Sequence, residues 1–145
     1  MKRAAILLAA GVAIASPALA APPVLCPITY SRLSMPINHE KGISTPTVEL
    51  AFTNVASRKI VRAKFALSII NPQGDPIPWD HDLTFTEGAA PGELTTVHWS
   101  LDLSKVDMQH LGETIYLKSA RFDDDTTWQD DGNQRCKREE YYGPK

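Results

Sequence analysis

Five carboxylates crowd nine consecutive positions near the C-terminal end: Asp123, Asp124, Asp125, Asp130 and Asp131. Calcium takes six to eight oxygen ligands from carboxylates and carbonyls, and a turn can present both. An EF-hand loop, however, needs acids at alternate positions, a central Gly and a closing Glu, and this run has none of that spacing. Aspartates also populate turns because their side chains bond nearby backbone amides. Turn chemistry at the surface is the expectation, and a calcium site on these five residues is the alternative. A second constellation is Trp79-Asp80-His81-Asp82, which sets an imidazole between two carboxylates. With His98 it offers zinc or copper ligands. No His-x-His or Met-rich arrangement accompanies it, and His39, His81, His98 and His110 are scattered along the chain. Surface or loop histidine is the default. Trp79 stands beside a proline turn and is expected to be exposed, where a planar ring can stack on a sugar.

Catalytic signatures are missing. The sequence holds no Gly-x-Ser-x-Gly, no phosphate-cradling Gly-rich loop, no His-Glu-x-x-His and no dinucleotide fingerprint. A non-enzyme is expected, and no cofactor is implied. The formal charge is −2, with no Lys/Arg cluster. That disfavours nucleic acid and anionic membrane surfaces as partners.

The N-terminus carries an address. Met1-Lys2-Arg3 precedes an uncharged stretch, Ala4 to Ala15, and Ala18-Leu19-Ala20 supplies a small-x-small cleavage site. A basic start, a short apolar stretch and small residues make an export signal. Residues 1–20 are expected to be removed before Ala21. A retained anchor fits less well, because a spanning helix needs roughly 20 apolar residues and Pro17 interrupts this one. A lipoprotein is disfavoured by Leu25 directly before Cys26. Without Lys2 and Arg3 the chain keeps 13 basic and 17 acidic side chains, or −4. No later stretch is long and apolar enough to span a bilayer. The location expected is the periplasm or the extracellular space, where two cysteines are expected to pair. Cys26 opens the mature chain and Cys136 nearly closes it, so a bridge would join the first strand to the last.

Those residues need a scaffold, and the patterning says which. Val48, Leu50 and Phe52 share one parity and face one way; so do Val61, Ala63, Phe65, Leu67 and Ile69, with Arg62, Lys64 and Ser68 on the opposite face. Period two marks half-buried strands. Val97, Trp99 and Leu101 are expected inward, with His98 and Ser100 outward. Ile28 to Leu33 reads as a first strand, and short strands are expected near Ile77 to Trp79 and Leu83 to Thr86. Turns fall at Asn54–Lys59, Asn71–Pro76 and Ala90–Glu93. In the strand Thr114 to Phe122 the apolar parity changes, which a β-bulge near Ser119 would reconcile. Ser104 to Gly112 is the one segment suited to a helical turn. Pro36 to Thr47 reads as irregular.

Seven to eight short strands, with turn signals roughly every ten residues, predict an all-β, immunoglobulin-like antiparallel β-sandwich. One domain is expected over residues 21–136, followed by a flexible C-terminal tail over 137–145. Phe52-x-Asn54, Lys59-Ile60-Val61, Gly74 and Pro91-Gly92-Glu93 resemble the FxLYD-type and related uncharacterised extracellular β-sandwich domains of bacteria. The Phe-x-Leu-Tyr-Asp string itself is absent. Ala120 through Trp128 to Cys136 resembles the Phe-Asp-Gly-Thr-x-Trp strand ending of small secreted proteins, with the Gly replaced. The resemblance implies the fold and carries no catalytic residues. The function expected is a non-catalytic interaction module for a protein partner, with Gly74–Glu87 and Asp123–Asp131 as the loops to inspect first. The alternative is a calcium- or carbohydrate-binding domain built on the acidic turn and Trp79.

Overall fold

The computed structural model describes residues 25–35, 37–40, 43–102 and 110–143. Residues 1–20, where an export signal is expected, and all but the last three residues of Ser104–Gly112, where a helical turn is expected, lie outside the described residues. Ten strands are described: β1 (Ile28–Ser34), β2 (Ile37–Glu40), β3 (Ile43–Asn54), β4 (Ile60–Ile70), β5 (Pro76–Pro78), β6 (Leu83–Phe85), β7 (Leu94–Ser100), β8 (Gly112–Phe122), β9 (Thr127–Gln129) and β10 (Lys137–Tyr141). They make the two-sheet antiparallel β-sandwich that the alternation predicts. In the first sheet β3 is central, with β7 on one side, β1 on the other, and β2 against its first residues. In the second, β4 and β8 pair along their lengths. The short β5 and β6 flank β4, and β9 and β10 flank β8.

Inward side chains from both sheets close the core. The Phe52 ring of β3 meets Phe85 edge-on at 5.4 Å and Phe65 at 5.8 Å, and Phe65 meets Trp99 of β7 at 5.7 Å. Such aromatic contacts add to area burial. Trp99 is half-buried, and its indole Nε1 donates to the Thr84 carbonyl at 2.9 Å, so its polar tip is satisfied across the sheets. Asn54 is fully buried at the end of β3. Its Nδ2 donates to the Arg58 and Ala89 carbonyls at 2.8 and 2.9 Å, and its Oδ1 accepts from the Ala56 amide at 2.9 Å. This one amide shapes the β3–β4 turn and fastens it to the segment before β7.

Cys26 and Cys136 form a disulfide with Cα atoms 5.5 Å apart. One lies just before β1 and the other just before β10, so the bridge fastens the first sheet to the second. Tyr30 Oη donates to the Cys136 carbonyl at 2.8 Å alongside it.

Three expectations need correction. Pro36–Thr47 was expected to be irregular, yet it holds β2 and the start of β3. Its Ser and Thr residues carry no apolar alternation, although Thr suits a strand. The segment from Lys137 was expected to be a flexible tail, yet Lys137–Tyr141 is the edge strand β10, paired to β8. Its charges hid the strand from a hydrophobic reading, and charged edges are how sheets discourage further pairing. Finally, Ile60 is buried where Val61 was expected, because the β4–β8 register shifts between Ile60 and Arg62. The bulge expected near Ser119 is present. The pairing steps from Lys64–Ser119 to Phe65–Leu117, leaving Lys118 as the extra residue.

Candidate functional site

A groove of about 550 Å³ opens at one end of the sandwich, between the β3–β4 turn and β9. Its apolar wall is Val55, Ala56, Phe122 and Trp128, and Leu25 lies at its rim. Leu25 and Val55 are among the most exposed apolar side chains described, at 71% and 55%. Trp128 is half-buried: β9 sets it opposite Ala120, so it packs inward on the core while still lining the groove.

Arg58 holds this wall in shape. Its guanidinium lies 4.3 Å from the centre of the Phe122 ring, a cation–π arrangement. It donates to Asp124 Oδ2 at 2.9 Å and to the Thr126 hydroxyl. Hydrogen bonds from Arg58 and then Thr126 lower the Asp124 pKa from the usual carboxylate range to about 2.

The predicted acidic residues are gathered at this end, but their carboxylates take separate partners. Asp123 is exposed. Asp124 accepts from Arg58, and its Oδ1 from the Thr126 amide at 3.0 Å. Asp125 pairs with Arg121 at 2.5 Å and holds a left-handed φ of 64°. Asp tolerates that region better than most residues with a side chain. Asp130 Oδ2 accepts from the Gly132 and Gln134 amides at 2.9 and 3.2 Å. Asp131 Oδ1 accepts from the Asn133 amide at 3.0 Å. Asn133, through side chain and backbone, holds that carboxyl below its ordinary pKa. Among the described residues, no three His, Cys, Asp or Glu side chains converge to hold a metal ion. Asp124, Asp130 and Asp131 serve as turn acceptors and Asp125 as an ion-pair partner, and among the described residues they do not converge as the calcium ligand set weighed from the sequence.

Trp79 is also placed differently from its expectation. It follows β5, is half-buried and packs against the core, because its amide bonds to the Leu67 carbonyl at 2.8 Å and draws the ring over the sheet edge. It is not a free platform for a sugar. The histidines remain apart: His39 in β2, His81 in the bend before β6, His98 on the outer face of the first sheet, and His110 before β8. His98 Nδ1 lies 3.7 Å from Glu49 Oε2, and His110 Nε2 lies 3.5 Å from Glu113 Oε2.

Two features escaped the sequence reading. Arg58 looked like an ordinary turn residue, and only the folded arrangement puts it over Phe122. Glu113 is fully buried and accepts a hydrogen bond from Tyr142 Oη at 2.5 Å. Burial first, and then Glu113, push the Tyr142 phenol above its ordinary pKa. The signal for Glu113 was present, since it shares the inward parity of Ile115 and Leu117.

No protein-family profile and no curated protein sequence matches the chain. A hypothetical protein from Peptoclostridium difficile 630, solved by X-ray diffraction at 1.85 Å, superposes with a TM-score of 0.50. It is 10% identical over 72% of this chain and 87% of that one. At that identity the likeness shows the fold alone.

Proposed function

We propose that this chain is an exported, non-catalytic β-sandwich module that binds a protein partner in the groove beside Trp128. The observation that carries the reading is the groove itself: a partly apolar recess, walled by Phe122 and Trp128, with exposed Leu25 and Val55 at its mouth. Protein interfaces are anchored where an apolar, aromatic-lined recess is ringed by polar groups. The Arg58 and Asp131 side chains supply that rim. An extended partner segment with one apolar side chain fits a recess of this size. Among the described lining residues, hydroxyls occur without a histidine or cysteine beside them, which supports binding over turnover. The cross-sheet disulfide and the basic-apolar-small pattern of residues 1–20 support an oxidising destination. The likeness to FxLYD-type exported domains points the same way.

A photo-crosslinking residue placed at Val55 in the producing cell tests this. The expected result is one discrete adduct that disappears in Trp128→Ala and does not form from the same probe at Thr96, on β7 away from the groove. Equal labelling from both positions, or an adduct indifferent to Trp128→Ala, counts against it. Added calcium is expected to leave the melting temperature unchanged; a clear rise lost in Asp124→Ala favours the calcium-binding alternative.

A further inference from the structure

In the first sheet β3 pairs with β7 on one side of that strand, and no described strand pairs with the other side. The bonding parity of β7 is fixed at both ends. The Asn54 amide donates to the Glu93 carbonyl at 3.1 Å, and the Leu101 amide donates to the Pro46 carbonyl at 3.0 Å. The register between them is unbroken, so Thr95, Val97 and Trp99 bond to β3. The N–H and C=O groups of Leu94, Thr96, His98 and Ser100 therefore point out along the open edge, and these residues are exposed.

Sheet edges are ordinarily blunted by shortness, proline, bulges or charge. The other edges of this sandwich are blunted in those ways. β5 has proline at both ends, β2 is four residues long, and β6 and β9 are three residues each. β1 carries Arg32 and a bulge, and β10 reads Lys-Arg-Glu-Glu-Tyr. β7 runs seven residues, Leu94-Thr95-Thr96-Val97-His98-Trp99-Ser100, with no proline, bulge, acid, lysine or arginine. Its one titratable side chain, His98, lies 3.7 Å from Glu49 of β3. Leu94, in the same outer row, is 61% exposed.

The strand is complementary to itself. Two copies set antiparallel about a twofold axis at Val97 place Thr96 opposite His98 of the other copy, and Leu94 opposite Ser100. These are the residues whose backbone groups face the open edge, so each pair exchanges two hydrogen bonds. Moving the axis to Thr96 leaves Ser100 with no partner in the strand; moving it to His98 does the same to Leu94 and opposes two imidazoles. With the axis at Val97 no like charges stand opposite each other. The flanking acids Glu93 and Asp102 fall outside the paired stretch, and the Glu93 carboxylate accepts from its own Ala90 amide at 2.6 Å.

We infer that β7 pairs with β7 of a second copy of this chain, antiparallel about Val97, joining two first sheets into one continuous sheet. The edge shares no residue with the groove beside Trp128, so either reading can fail without the other.

Sedimentation equilibrium of the protein recovered from the producing cell, loaded from about 1 μM to about 1 mM, tests it. A monomer–dimer equilibrium is expected. Thr96→Pro removes an amide that β3 does not use, so the strand tolerates it, and its circular dichroism should match the parent's. Each copy loses one bond across the axis, and the dimer should weaken on the order of thirtyfold. Thr96→Lys/His98→Lys sets lysines opposite each other and should stay monomeric, as should Thr96→Glu/His98→Glu. Mixing these two variants should restore a dimer holding one of each, because position 96 faces position 98. A photo-crosslinking residue at Thr96 should join two copies of this chain, a product unaffected by Trp128→Ala and so distinct from the groove's adduct. The inference is overturned by a monomer at every loading, or by a dimer undiminished in the folded Thr96→Pro or the dilysine variant. It is also overturned if the mixed lysine and glutamate variants do not pair, or if Thr96 crosslinks a different protein instead.

Discussion

Replacing Asn54 with alanine should cost this domain more than any comparable truncation in a turn. The side chain is wholly enclosed and makes three hydrogen bonds, two donated to the Arg58 and Ala89 carbonyls and one accepted from the Ala56 amide. The Ala89 carbonyl keeps its bond from the Ile60 amide, so its loss is partial. The Ala56 amide and the Arg58 carbonyl lose the partner described here. An orphaned buried group costs about 1–3 kcal/mol, which sets the expected loss for Asn54→Ala at about 3 kcal/mol. For a domain of this size that lowers the melting temperature by roughly 10 °C. Urea unfolding followed by tryptophan fluorescence measures it. Asn54→Asp sharpens the test, because it keeps the acceptor for Ala56 while setting a carboxylate against two carbonyl oxygens. The introduced group should have a folded pKa raised above its unfolded value of about 4. Its deficit relative to the parent is then smallest below pH 4 and grows as pH rises toward neutral. A loss under about 1 kcal/mol for Asn54→Ala, or a pH-independent deficit for Asn54→Asp, refutes the reasoning.

Three further outcomes are expected. Removing the bridge with Cys26→Ser/Cys136→Ser frees a closure of 110 residues; unfolding free energy by urea titration should fall by about 4–5 kcal/mol on the chain-entropy account. The Asp124 carboxyl, with its pKa lowered to about 2 chiefly by Arg58, should contribute stability above pH 4 that is lost as pH falls toward 2, and Arg58→Ala should bring its NMR titration midpoint back toward the ordinary range. Tyr142→Phe removes the donor to buried Glu113 and should cost about 1–3 kcal/mol. Because the Tyr142 phenol has a raised pKa, its contribution is fully present below pH 10 and is lost above it. The variant's stability should therefore fall less steeply in alkaline denaturation curves.

Where burial follows parity, the fold was legible. Val48 to Phe52, Ala63 to Ile69 and Val97 to Leu101 each present one apolar face, and the change of parity in β8 marks its bulge. The disulfide was readable from two cysteines, Cys26 and Cys136, in a chain whose first 20 residues read as an export signal. Strands made of backbone pairing rather than apolar burial were not. β2 has no alternating apolar row, and β10 reads Lys-Arg-Glu-Glu-Tyr. The acidic turns and their use were legible, since Asp124, Asp130 and Asp131 accept from amides two to four residues further on, as turn aspartates do; only the Arg58 contact to Asp124 needed the fold. Trp79 was misplaced because a proline turn says where a chain reverses and not which way the next ring leans. Neither the Arg58–Phe122 stack nor the open edge of β7 can be seen without the strand register.

Intact-mass measurement with disulfide mapping, on protein recovered from the cell that makes it, bears most directly on an exported sandwich stapled across its sheets. The account predicts a product that begins at Ala21, is lighter by two hydrogens than its thiol form, and yields one linked peptide pair containing Cys26 and Cys136. A full-length product retaining residues 1–20, with both cysteines open to alkylation, contradicts it.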